Sequence, residues 1–252
     1  MNTLPSVVII AALLSAIPSL AQPASAPLFV FDFESRPAAL ANKGTLGGNA
    51  SLDGAAEVKD GGPGGKGAYL DLSGNYSIMN TLIYPKGGET LGNRENLTVA
   101  FWFRLQGVPA IYDRLVALQD NTLKGFSIHF VKNTTGDMVM SDFFNLELQI
   151  NGRVAISQRI NFDDRWRFAA VTFDGSRARF FTGTEQQASV AIGDIGVDSA
   201  MIEMPDKPLL LGGTSASAQD RTPPVWLAKV RIFGEPLDIT AVEDLRRKDA
   251  RK

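Results

Sequence analysis

Cysteine is absent from the 252 residues. A fold stapled by disulfides is thereby excluded, and an exported chain of this kind fits a bacterial periplasm or cell surface better than a vertebrate-type extracellular module. Histidine occurs once, at His129. A lone histidine makes no metal centre, and without cysteine or a Gly-x-Ser-x-Gly segment it lacks the partners of a nucleophilic triad. Neither sign of charge dominates, with 25 Lys plus Arg against 27 Asp plus Glu. Nucleic acid is therefore not an expected partner, and nothing draws the chain to an anionic membrane. No apolar run approaches the roughly 20 residues that span a bilayer, so no membrane span is expected in the mature chain. No Pro- or Ser-rich linker divides the sequence, and one domain is expected.

What is present begins with an export signal. Residues 1–21 hold an apolar run from Val7 to Leu14, a break at Pro18, and small residues at Ser19 and Ala21, where cleavage is placed. No Lys or Arg precedes Arg36. A stub over 22–27 follows, and the expected location is extracytoplasmic: periplasm, cell surface or secreted.

From residue 28 the chain reads as strand after strand. LFVFDFE (28–34) places Phe29, Phe31 and Phe33 on one side, the period-two pattern of a half-buried strand. Residues 35–66 are glycine-rich and read as surface loop with short strands. The GGPGGKG cluster at 61–67 has no Gly-Lys-Ser/Thr and no following helix, so it is no phosphate cradle. Further strands are expected at 68–73, 96–105, 114–119, 125–131, 144–150, 153–158, 167–174, 178–184, 208–213 and 226–233. Asn151-Gly152 and Asp174-Gly175 supply hairpin turns between them. So many alternating strands in one domain mean two packed antiparallel sheets. One short helix is expected from Thr240 to about Arg247, with Glu243 as capping-box partner.

Three segments carry a resemblance. NLTVAFWFRL (96–105), WRFAAVTFDGSRARFFTGT (166–184) and the closing VRIFGEPLDITAVEDL (230–245) resemble, in this order, the laminin-G-like, concanavalin A-like lectin and glucanase jelly-roll family. The resemblance covers about 28–247, leaving 248–252 as a charged tail. It implies an all-β, two-sheet antiparallel sandwich, an architecture that hosts binders, adhesins and hydrolases alike. It also implies a structural calcium held in part by an Asp on the closing strand. Ala228 stands there instead, so no cofactor and no metal is expected. Asp32 or Glu34 would be the remaining route to a cation.

Glucanases of this fold carry carboxylates at i, i+2 and i+4 on one strand. The nearest equivalent here is Asn145, Glu147 and Gln149, with a single acid. No catalytic residue is therefore expected, and a hydrolase would need a second acid from a loop, such as Asp113 or Asp137.

The same period-two count selects a candidate ligand face. Val99, Phe101 and Phe103 point into the core, which turns Trp102 and Arg104 outward. Phe126, Ile128 and Phe130 do the same for His129, and Leu146, Leu148 and Ile150 for Glu147 and Gln149. If these strands share a sheet, as the resemblance implies, one face carries Trp102, Arg104, His129, Glu147 and Gln149. An indole among hydrogen-bonding groups suits the C–H face and hydroxyls of a sugar. The bland alternative puts Trp102 beneath a long loop. Trp166 is expected at a sheet corner and Trp226, beside Pro223-Pro224, at the surface. The expected function is a non-catalytic recognition module for a polysaccharide or cell-surface glycan. The alternative is an adhesive or structural domain that binds protein.

Overall fold

Alternation decides which side of each strand is apolar, and the two apolar sides bury each other. The computed structural model describes residues 25–34, 40–74, 80–109, 113–132, 143–213 and 223–251. In chain order the strands are β1 (Phe29–Phe31), β2 (Ser51–Asp53), β3 (Glu57–Asp60), β4 (Ala68–Asp71), β5 (Thr81–Tyr84), β6 (Leu97–Leu105), β7 (Asp113–Gln119) and β8 (Gly125–Lys132). They continue as β9 (Phe143–Ile150), β10 (Arg153–Ile156), β11 (Ile160–Asn161), β12 (Arg167–Phe173), β13 (Arg177–Thr184), β14 (Val190–Gly196), β15 (Leu209–Leu211) and β16 (Val225–Phe233). Helix α1 (Gly87–Leu91) follows β5, and α2 (Ile239–Ala250) follows β16.

The strands form two antiparallel eight-stranded sheets. The first runs β14-β13-β12-β6-β16-β4-β3, with β1 paired to β16; the second runs β10-β9-β8-β7-β15-β5-β2, with β11 paired to β9. This is the expected jelly-roll sandwich. The expected strands are present, β5, β11 and β14 join them, and the short α1 adds to the one helix expected. β14 is an edge strand, largely exposed and carrying Gly193 and Gly196, and its register with β13 shifts between Phe180 and Phe181. Its sequence therefore shows no clean alternation.

Between the sheets the inward residues named from the sequence are all buried, among them Phe101, Phe103, Phe126, Phe130, Leu146 and Ile150. Phe130 lies 5.6 Å from Phe103 across the sandwich and 4.9 Å from Phe144, edge-on, a favoured aromatic geometry. Each such side chain contributes roughly 2–3 kcal/mol by leaving water.

A second apolar cluster lies on the outer face of the first sheet, where Ala100, Trp102, Phe168, Ala170, Phe181, Ala228 and Phe233 pack with Leu237 and Val242. Helix α2 is its cover. The turn into the helix is clamped by Thr98, whose Oγ1 donates to the Glu235 carbonyl at 2.6 Å and accepts from Leu237 N at 2.9 Å. The capping box expected at Thr240 is not used. Asp238 is the N-cap and accepts from Ala241 N at 2.8 Å. Glu243 instead reaches across to Ser189 N at 2.8 Å and to Arg246. The helix also runs past Arg247 to Ala250, so Asp249, in the expected charged tail, is buried.

Candidate functional site

The candidate residues divide between the two sheets. β6, with Trp102 and Arg104, belongs to the first sheet, whereas β8 and β9, with His129, Glu147 and Gln149, belong to the second. The single shared face expected from the sequence is corrected on this point. Alternation gives the phase of a side chain on its own strand, and sheet membership is fixed by non-local pairing that the local pattern does not contain.

Trp102 does point away from the inter-sheet core, but it is 0% exposed. Its ring lies 5.5 Å from Phe168, and its Nε1 donates to Asp249 on α2 at 3.2 Å. Trp102 is a pillar beneath the helix, so it offers no platform to a ligand.

On the outer face of the second sheet, His129, Glu147 and Gln149 do meet, and Arg114, Ser127 and Gln119 join them. Arg114 Nη1 donates to Ser127 Oγ at 2.5 Å and to His129 Nδ1 at 3.1 Å. A guanidinium can only donate, so Nδ1 accepts, and the other ring nitrogen, Nε2, lies 2.9 Å from Glu147 Oε1. Gln149 Oε1 takes Gln119 Nε2 at 2.9 Å and Arg114 Nη1 at 3.5 Å. Register explains the meeting: His129 faces Glu147 across β8–β9 and Arg114 across β7–β8. Arg114 was missed because a bulge between Arg114 and Val116 breaks the alternation of β7. His129 and Glu147 are 1% and 5% exposed, so this network orders the sheet from within.

Chemically, that face holds one carboxylate already bound to an imidazole. Asn145 turns its amide to the Ser157 carbonyl at 2.6 Å. Asp137 lies outside the described residues, and Asp113 is buried at the start of β7. On the first strand, Asp32 pairs with Lys43 at 2.7 Å and Glu34 pairs with Lys229. Among the described residues no group of three or more His, Asp or Glu side chains gathers as a metal would require.

A different arrangement lies one step along the outer face of the first sheet. Arg104 faces Trp226 across the β6–β16 ladder, and Asp71 faces Trp226 across β16–β4. Tyr69 stacks on Trp226 with centroids 4.5 Å apart, Trp166 lies 5.8 Å from Tyr69, and the Arg104 guanidinium sits 4.9 Å from the Trp226 ring centroid. Tyr69 and Trp166 are nearly enclosed, whereas Trp226 and Arg104 are half-buried. Burial alone would raise the Asp71 carboxyl, but hydrogen bonds from Lys59 and Ser73 hold it below its ordinary value. The surface position expected for Trp226 fits this arrangement. What the sequence could not supply was the register that brings Arg104, Tyr69 and Trp166 beside it.

Family comparison decides the lineage. The model described as the concanavalin A-like lectin/glucanases superfamily matches residues 80–242. The chain belongs to that family. No curated protein sequence matches it at a significant level. Solved structures give the same fold. The binding domain of botulinum neurotoxin DC in complex with rat synaptotagmin II aligns with a TM-score of 0.63 at 14% identity, over 88% of this chain and 51% of that one. A second structure, titled for the dependence of botulinum neurotoxin type C cell entry on two ganglioside molecules, aligns at 0.64 with 14% identity and coverages of 88% and 51%. The binding domain of Paraclostridial Mosquitocidal Protein 1 aligns at 0.60 with 15% identity, over 89% and 52%. The chain thus spans about half the length of these solved chains. No helix among the described residues is long and apolar enough to cross a membrane.

Proposed function

We propose that this chain is an exported, non-catalytic recognition module for a polysaccharide or cell-surface glycan, and that it takes the sugar at the aromatic tier of Trp226, Tyr69 and Trp166. The carrying observation is the half-buried Trp226 ring, packed between Tyr69 and the Arg104 guanidinium. A rigid indole whose own ordering has already been met by its neighbours presents its exposed part at little further entropic cost. Sugars offer a matching C–H face and bring hydroxyls for the polar rim. The family hosts lectins, and one structural neighbour is titled for its interaction with gangliosides, which supports the reading from outside the chain.

A glycan array probed with the full chain tests it. Binding is expected on a subset of glycans, and Trp226→Ala is expected to weaken it about tenfold or more while the far-ultraviolet circular dichroism keeps its strand signature. The assay must reach a Kd near 1 mM, roughly −4 kcal/mol, because single lectin sites are often weak. An array with no binding by wild type removes the proposal. A second reading, adhesion to a protein partner, is favoured by the neighbour solved with rat synaptotagmin II. A saturable protein partner retained on the chain in excess free sugar separates the two.

A further inference from the structure

We infer that the sugar held on the Trp226 tier carries an anionic substituent, a carboxylate or a sulfate, and that Arg104 is the residue that selects it. The inference rests on the glycan reading above and names the class of glycan.

The argument starts from charge pairing around the tier. Lys59 Nζ lies 2.7 Å from Asp71 and 3.2 Å from Glu57. Beside Trp166, Arg165 and Arg167 both reach Asp163, at 2.9 and 2.5 Å. Each of these charges has its opposite. Arg104 has none among the described residues: it makes no ion pair, and its Nε is buried without a hydrogen-bond partner. Its guanidinium lies over the face of Trp226. A half-buried guanidinium has lost part of its hydration, and a ring face returns only a fraction of it.

The second observation is the sign of what is left over. Trp226 Nε1 is also buried without a hydrogen-bond partner. Indole N–H and guanidinium N–H groups donate and never accept. What is left over on this tier is therefore a set of donors, and the part of it that a ligand can meet is the fork of the half-buried Arg104 side chain, which calls for a ligand that brings acceptors. A neutral sugar brings hydroxyls that give and take equally. A carboxylate or sulfate brings only acceptors, in the planar or tripod geometry that a guanidinium fork grips with shorter and stronger hydrogen bonds. Such a sugar packs against the exposed part of Trp226 while its charged group reaches Arg104, so one residue supplies apolar contact and its neighbour supplies selection.

The test titrates the full chain with matched oligosaccharides: a galacturonate tetramer, a heparin-derived sulfated tetrasaccharide, and neutral cellotetraose. At least one acidic ligand is expected to bind ten times or more tightly than the neutral one at low ionic strength, and the gap is expected to narrow as salt is raised. Arg104→Gln is expected to erase the gap and leave neutral binding in place; Trp226→Ala is expected to lose both. If the glutamine variant does not fold, Arg104→Lys serves, since it keeps the charge and loses the fork, and a gap reduced at least threefold upholds the assignment. Equal binding of acidic and neutral ligands by wild type overturns this inference alone. An acidic preference that survives in Arg104→Gln, or an undiminished one in Arg104→Lys, overturns it as well. Failure of every ligand to bind overturns the glycan reading and this inference with it, so the two failures are told apart.

Discussion

Asp249 holds more of the structure than its place near the end of the chain suggests. It is 3% exposed, accepts from Trp102 Nε1, and grips Arg231 through both amino groups at 2.7 Å. A buried ion pair adds little over an apolar substitute, but removing one partner strands the other. Asp249→Ala is therefore expected to cost about 3–5 kcal/mol, read as a fall in the urea midpoint. Trp102→Ala belongs to the same unit and should cost a similar amount, about 3–5 kcal/mol, through the cavity left under α2. Neither should alter glycan affinity in the population that remains folded. A Trp102→Ala protein with wild-type stability and lost binding would contradict the placement of the site. The outward phase of Trp102 was legible because β6 alternates without a bulge. The cover over it was not, since it is made by residues far along the chain whose docking no local pattern encodes.

Helix α2 is fastened to the first sheet as much by charge as by apolar contact. Arg246 is buried, donates to the Thr184 carbonyl at 2.6 Å, and holds Glu243, which also receives Ser189 N. The Arg246 hydrogen bond is the main reason the Glu243 carboxyl falls from its ordinary 4.5 to about 2. A depressed carboxyl stabilises the fold while it is ionised, so its contribution is complete above about pH 4.5 and is lost as pH falls toward 2. After allowance for solvent screening this amounts to about 1–2 kcal/mol. Stability measured by denaturant between pH 5 and pH 2 should thus fall less steeply in Glu243→Gln than in wild type, and parallel slopes would refute the assignment. The existence of the helix was legible, because it follows a strand, a Gly-Glu-Pro turn and an apolar Leu237. Its start was misplaced because Thr240 and Glu243 have capping-box spacing, while Asp238, two residues earlier, has the stronger geometry.

At the scale of the whole molecule, the sequence specified the class of fold and the inward faces, because both follow from strand period. It did not specify which strands neighbour which. That gap is why His129, Glu147 and Gln149 were correctly grouped through adjacent β8 and β9, while Trp102 and Arg104 were wrongly added from β6. It is also why the Trp226 tier went unassembled, since β16 and β4 pair across most of the chain's length.

The position of β16 has a consequence for how such a chain comes into being. It lies between β6 and β4 and also carries β1, so the last strand in sequence is the inner seam of the first sheet. A polypeptide emerging from its N-terminus therefore cannot close that sheet until Val225–Phe233 has appeared; the earlier strands wait as two unjoined ribbons, with β1 unpartnered. Distant pairing of this kind makes folding late and slow. A chain ending at Pro224 is expected to be digested rapidly by a protease that leaves the full chain intact, and a resistant fragment of sandwich size would argue otherwise. For most of synthesis, then, one half of the sandwich has no finished partner to lie against, and the whole body sets only when its last strand slots in.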